Sequence, residues 1–154
     1  MIAHLNKKNK PKIVDISKKK QTTRIAKAQG IIQFSKKTFK EIESFKTKKG
    51  EITNTAIIAG ILGAKKTNEI IPLCHNILIE NIDIDIRSIK NKNIFVITCK
   101  VKSYGKTGVE MEALTGTCIA CLTIYDMCKA LSHDIKIANI QLEKKSGGKS
   151  DFNR

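Results

Sequence analysis

Apolar residues fall into a readable order only after Lys20. Ahead of it, residues 1–12 are polar and lysine-rich with no apolar period, which predicts a mobile basic arm leading into a short extended piece at 13–16. Residues 22–34 mix β-branched and small side chains and predict a strand. Ser35 then offers a helix N-cap, and Phe39, Ile42 and Phe45 are spaced to share one helical face. Residues 55–67, TAIIAGILGAKKT, are apolar nearly all round and predict a buried helix, whose Ala and Gly positions let another element come close. Pro72 ends what precedes it and puts Leu73, Cys74 and His75 in a loop.

Ile82, Ile84 and Ile86 alternate with Asn81, Asp83 and Asp85, the period of a strand with one wet face. A turn at 90–93 and a β-branched run at 94–101 complete a hairpin. Thr107 and Glu110 have capping-box spacing, opening a helix that can run to about Leu131 with Gly116 the only glycine after the box. A last alternating segment, 135–142, closes the pattern as a strand. Leaving aside the short early helix, the order is βαββαβ. This is the ferredoxin-like α+β plan, an antiparallel sheet with helices packed on one face. Many unrelated functions use that plan, so it selects none of them.

A chain of 154 residues, 41% hydrophobic, is long enough to bury one core, and the expected organisation is an arm at 1–12, a single domain at 13–145 and a flexible basic tail at 146–154. No apolar run approaches the roughly 20 residues of a membrane helix and no signal peptide is visible, so a soluble cytoplasmic protein is expected. The five cysteines are odd in number and scattered through apolar segments, which argues for reduced thiols. A net charge of +15 suits a phosphorylated small molecule or a nucleic acid. Yet nearly all the basic residues are lysines, Arg24, Arg87 and Arg154 excepted, and Ile and Asn are also abundant, a bias that AT-rich coding imposes on any surface.

Position therefore has to decide which charges matter. The 145–150 segment, KSGGKS, resembles a phosphate-binding P-loop, but the glycine required five residues before its lysine is missing and no helix has room to follow. Cys118 and Cys121 form a C-x-x-C pair with no second pair to complete a zinc site, so core packing is expected of them. Asp126 and Lys129 share a helix face three residues apart, either as a surface ion pair or as an acid–base group with a phosphate-neutralising ammonium. Glu110 completes the capping box, whereas Glu112 sits at the wrong position for it and points elsewhere.

Four stretches, 71–75 (IPLCH), 105–115 (GKTGVEMEALT), 122–130 (LTIYDMCKA) and 145–150 (KSGGKS), resemble the MoaC family in order and separation. The resemblance covers nearly all of the chain after residue 12. It implies the fold just derived, and the reaction of a phosphorus–oxygen lyase that converts a cyclised GTP derivative to cyclic pyranopterin monophosphate and diphosphate in molybdenum cofactor synthesis. It further implies Asp126 as the catalytic carboxylate with Lys49 and Lys129 as partners. Leu73, Cys74, His75, Glu110, Met111 and Glu112 form the substrate set, with Lys145 and Lys149 toward the triphosphate. No cofactor or protein metal ligand is called for, and a divalent ion accompanying the triphosphate stays open. The resemblance also implies a hexamer, a trimer of dimers with active sites at subunit interfaces, and hand-over of substrate from the radical SAM enzyme MoaA. The chain departs from the family pattern at Glu51, at Asn76 and where Ser150 meets Asp151 directly.

Spacing adds an inference of its own. Glu112 and Asp126 are 14 residues apart, about 21 Å along a helix, too far for one compact nucleotide to touch both. If both serve one site, two chains supply them. The competing class is a basic RNA-binding ferredoxin-like module, against which stands the lack of aromatics in 94–101, where Phe95 is alone.

Overall fold

This computed structural model of the chain describes residues 4–6, 8–44 and 46–154, the side chains of 46–50 excepted. Strand β1, Thr22–Gln33, is followed by helices α1, Lys36–Ser44, α2, Lys46–Lys65, and the single-turn α3, Thr67–Ile70. Strands β2, Ile79–Ile89, and β3, Ile94–Gly105, form the expected hairpin across a 3₁₀ turn at Lys90–Lys92. Asn93 ends that turn in the left-handed region at φ 53°, which an asparagine tolerates better than most residues. Helix α4, Glu110–Cys128, β4, Lys136–Ser146, and β5, Phe152–Asn153, complete the chain.

The strands order as β2-β3-β1-β4-β5, every neighbouring pair antiparallel. The sheet is therefore the ferredoxin-like arrangement that the element order predicts, with β5 added at its edge. Alternation decides which face is covered. Ala26, Ala28 and Ile32 of β1 and Phe95, Ile97, Cys99 and Val101 of β3 are fully buried beneath the helices. Lys27 and Lys100, directly opposite each other in register, occupy the other face.

Two helices can share one side of this sheet because they touch through glycine. A Cβ on Gly60 of α2 would lie 2.8 Å from the Gly116 carbonyl oxygen of α4, and one on Gly116 would lie 3.1 Å from that of Gly60. The small residues of the 55–67 run thus serve the close approach expected of them. Gly60→Ala pushes backbone against backbone and is expected to destabilise the protein by about 1–3 kcal/mol; an unchanged urea midpoint would show that the helices separate freely.

Some boundaries differ from expectation. Ser35 caps α1, its Oγ accepting from the Thr38 N–H at 3.2 Å, but Phe45 lies outside the described residues. Helix α2 begins earlier than the apolar run, at Lys46, and Ile52 ahead of that run already packs into the core. Helix α4 has no capping box: Val109 is its N-cap, without a side-chain hydrogen bond, and its carbonyl accepts the first helical bond from Ala113 at 3.1 Å. Val109 is almost wholly buried, so packing sets this helix start. Glu110 instead faces Lys145 of β4, Oε1 to Nζ 3.4 Å. The helix stops at Cys128, short of Leu131.

Candidate functional site

Two adjoining cavities open where the first turn of α4 meets the ends of β1, β3 and β4. The more apolar, about 250 Å³, is lined by Leu73, Cys74 and His75 from the loop after Pro72 and by Met111 and Glu112 from α4. Its neighbour, about 240 Å³, is lined by Lys19, Arg24, Lys106, Lys145 and Lys149. Both include Thr107, Gly108 and Glu110, so they meet at the foot of α4.

The basic cavity is built by tertiary contacts at the ends of strands. Arg24 Nε and Nη2 donate to the carbonyls of Gly105 and Lys106 at 3.3 and 3.4 Å, which ties β1 to the loop before α4. The KSGGKS segment is a turn and not a P-loop. Thr22 Oγ1 donates to the Gly147 carbonyl at 2.7 Å, and the Gly147 N–H donates to Asp151 Oδ1 at 3.1 Å. Gly147 has φ +84° and any Cβ there would collide with the Thr23 carbonyl, so only glycine makes this bend. The bend lets 152–153 return to β4, with Lys145 and Lys149 left at the cavity.

In the apolar cavity, Glu112 is the unusual group. Its side chain is only 3% exposed, and among the described residues its Oε2 has no hydrogen-bond partner. Burial, reinforced by the Glu110 charge, raises its carboxyl from an ordinary 4.5 to about 7. Burial together with the Glu112 charge raises the Cys74 thiol, so it enters the site protonated. His75 Nε2 lies 2.7 Å from the Val14 carbonyl.

The Glu112 shift has a consequence for stability. The folded protein keeps this proton up to about pH 7, whereas the unfolded chain releases it near 4.5. Between those values the native state binds the extra proton, so the contribution is full below 4.5 and is lost as pH rises through 7. Glu112→Gln is expected to remove that decline and to raise stability at pH 8 by roughly 1–3 kcal/mol. Urea unfolding at pH 5 and pH 8 checks this, and equal pH slopes in both proteins would contradict it.

The remaining expected residues lie elsewhere on the chain. Asp126 and Lys129 sit at the far end of α4, side chains 69% and 58% exposed, with Lys129 Nζ donating to Asp126 Oδ1 at 2.6 Å. That carboxylate raises the Lys129 ammonium above its usual range. Neither residue borders either cavity of its own chain. Lys49 belongs to α2, but its side chain lies outside the described residues. Cys121 packs in the core over Gly30, where its Sγ would be 2.9 Å from an added Cβ. Burial pushes its thiol up to about 12.

Sequence reasoning missed Lys19, Arg24 and Lys106. One signal was present: an arginine kept in a chain that otherwise uses lysine marks a place where a planar, multi-donor group is needed.

The fold and site define a ferredoxin-like α+β protein with an anion-attracting cavity beside an apolar one that holds a buried carboxyl. More narrowly, the chain belongs to the MoaC family, whose model matches residues 13–148. It is 51% identical over 154 residues to cyclic pyranopterin monophosphate synthase of Helicobacter hepaticus, covering 99% of this chain and 97% of the relative. The Helicobacter pylori (strain G27) protein of that name is 50% identical over 154 residues, 99% of this chain and 98% of the relative. A Campylobacter jejuni relative, also so named, is 50% identical over 149 residues, 97% and 95% of the two chains.

Proposed function

We propose that this protein is a cyclic pyranopterin monophosphate synthase, acting in molybdenum cofactor biosynthesis on the cyclised GTP derivative (8S)-3',8-cyclo-7,8-dihydroguanosine 5'-triphosphate and releasing diphosphate as a phosphorus–oxygen lyase. The observation that carries the reading is the division of the site: five cationic side chains line one cavity and a largely apolar surface with a buried carboxyl lines the next.

The basic cavity suits a triphosphate. Cyclic phosphate formation with loss of diphosphate builds charge on the leaving oxygens, and ammonium and guanidinium groups already in place stabilise it without reorganising. Glu110 holds Lys145 until an anion takes its place. The apolar cavity suits the ring system, with His75 and Glu112 at hand. A carboxyl that titrates near 7 both gives and accepts protons at physiological pH, as rebuilding a guanine-derived ring as a pterin requires. No resident cofactor enters the scheme.

Asp126 moves protons in the same reaction, with Lys49 and Lys129 steadying anionic intermediates. On a single α4 it lies about 21 Å from Glu112, so a second chain brings it to the cavity. Leu122, Met127 and Leu131 expose 52%, 40% and 39% of their surface around it, apolar area suited to being covered by that chain. A hexamer built as a trimer of dimers, in the cytoplasm, taking its substrate from the radical SAM enzyme MoaA, completes the reading.

An RNA-binding role finds little support, since Phe95 is fully buried on the helix face and offers no ring to a base. Incubating the purified chain with the cyclised GTP derivative is expected to release diphosphate and form a fluorescent pterin after oxidation. Saturable RNA binding with no diphosphate released would replace this reading with the other.

A further inference from the structure

Residues 13–19 run beside both cavities without pairing to any strand, Val14, Ile16 and Lys19 lining the apolar one and Lys19 also the basic one. Val14 and Ile16 turn inward against the cavity of Leu73, Ile77 and Met111, while Ile13 and Asp15 stay exposed. Two hydrogen bonds hold the segment, one from each cavity wall. His75 Nε2 meets the Val14 carbonyl at 2.7 Å, and Lys106 Nζ donates to the Ser17 carbonyl at 2.8 Å. Between them the Ser17 N–H donates to Asp15 Oδ1 at 2.8 Å and closes the bend. The sheet needs none of these contacts, since its first strand begins at Thr22.

The histidine contact has a direction. A carbonyl oxygen only accepts, so Nε2 carries the hydrogen, and a neutral imidazole then has a bare lone pair on Nδ1. Among the described residues nothing bonds to that nitrogen. We propose that the 13–19 strap is a positioning element of the substrate site: the Val14 carbonyl locks His75 as its Nε2–H tautomer, presenting Nδ1 as the acceptor that meets the ligand. Val14 and Ile16 hold that carbonyl in place by filling the roof of the cavity, and Lys106 anchors the other end.

The inference rests on the enzymatic reading for its consequence, but its geometry is measured separately. In the full chain labelled with ¹⁵N-histidine at a pH where imidazole is neutral, His75 is expected to show one tautomer, Nδ1 pyridine-like and Nε2 pyrrole-like. His75→Gln identifies the signals against His4 and His133. In the Val14→Gly, Ile16→Gly double variant the two shifts move toward an average of both tautomers and kcat falls by about tenfold or more, the cost of a misplaced group. A thermal melt establishes that this variant is folded, and the unmodified chain decides the tautomer whatever that melt shows. Averaged shifts in the unmodified chain, or full kcat in the folded double variant, overturn the strap's role. Absence of turnover by the unmodified chain overturns the enzymatic reading instead, and leaves the tautomer to be decided by the shifts.

Discussion

Asp126→Asn is expected to lower kcat by about 100-fold or more, the range in which a lost general acid or base is felt. The amide keeps the shape of the carboxylate and still accepts a hydrogen bond from Lys129, whose Nζ lies 2.6 Å away in the native protein. What it loses is the charge and the capacity to take up a proton. Because both side chains are more than half exposed on their own chain, where water screens the pair, the ion pair contributes little to folding. The melting temperature of the variant should therefore stay close to that of the parent while diphosphate release and pterin formation collapse. A surface ion pair with no chemical task predicts the opposite, normal turnover, and a rate within twofold of the parent would remove Asp126 from the mechanism.

Much of this architecture was legible because periodicity carries it. The alternation of Ile82, Ile84 and Ile86 places β2 correctly, and its Ile84 is buried beneath the helices as that period requires. The composition of the 55–67 run shows that something must approach it closely, and Gly116 of α4 is what does. The start of α4 was misread because a capping box is a local rule. There the burial of Val109 and the attraction of Glu110 to Lys145, both long-range, override the Thr107 hydroxyl. The two-residue β5 is too short to leave a period, and it forms because Gly147 reverses the chain beside β1.

The candidate site divides in the same way. Glu112 was legible as a residue that helix capping does not explain, and it is buried at the apolar cavity. Leu73, Cys74, His75, Met111, Lys145 and Lys149 also come to the two cavities. Lys19 and Lys106 were not legible, since in a chain of +15 one more lysine carries no information. Only the convergence of three strand ends distinguishes them from lysines that merely keep the surface wet.

Mixing two inactive proteins is expected to restore activity. Glu112→Ala empties the apolar cavity of its carboxyl, and Asp126→Ala removes the acid from the far end of α4. Within one chain the two positions are held about 21 Å apart by a continuous helix, a length that no side-chain motion closes. If one site draws Glu112 from one chain and Asp126 from its partner, a mixed two-fold dimer holds one intact site and one site with both changes. Random pairing of equal amounts makes half the dimers mixed, so about a quarter of all sites, and of parental activity, should return. The chains must be co-expressed, or unfolded and refolded together, because preformed oligomers need not exchange. Carrying different tags, oligomers that contain both variants can be isolated: as single mixed dimers they should approach half of the parental rate, and as hexamers of randomly paired dimers about a quarter. Isolated mixed oligomers as inactive as either parent variant would show that Glu112 and Asp126 do not complete one site across two chains.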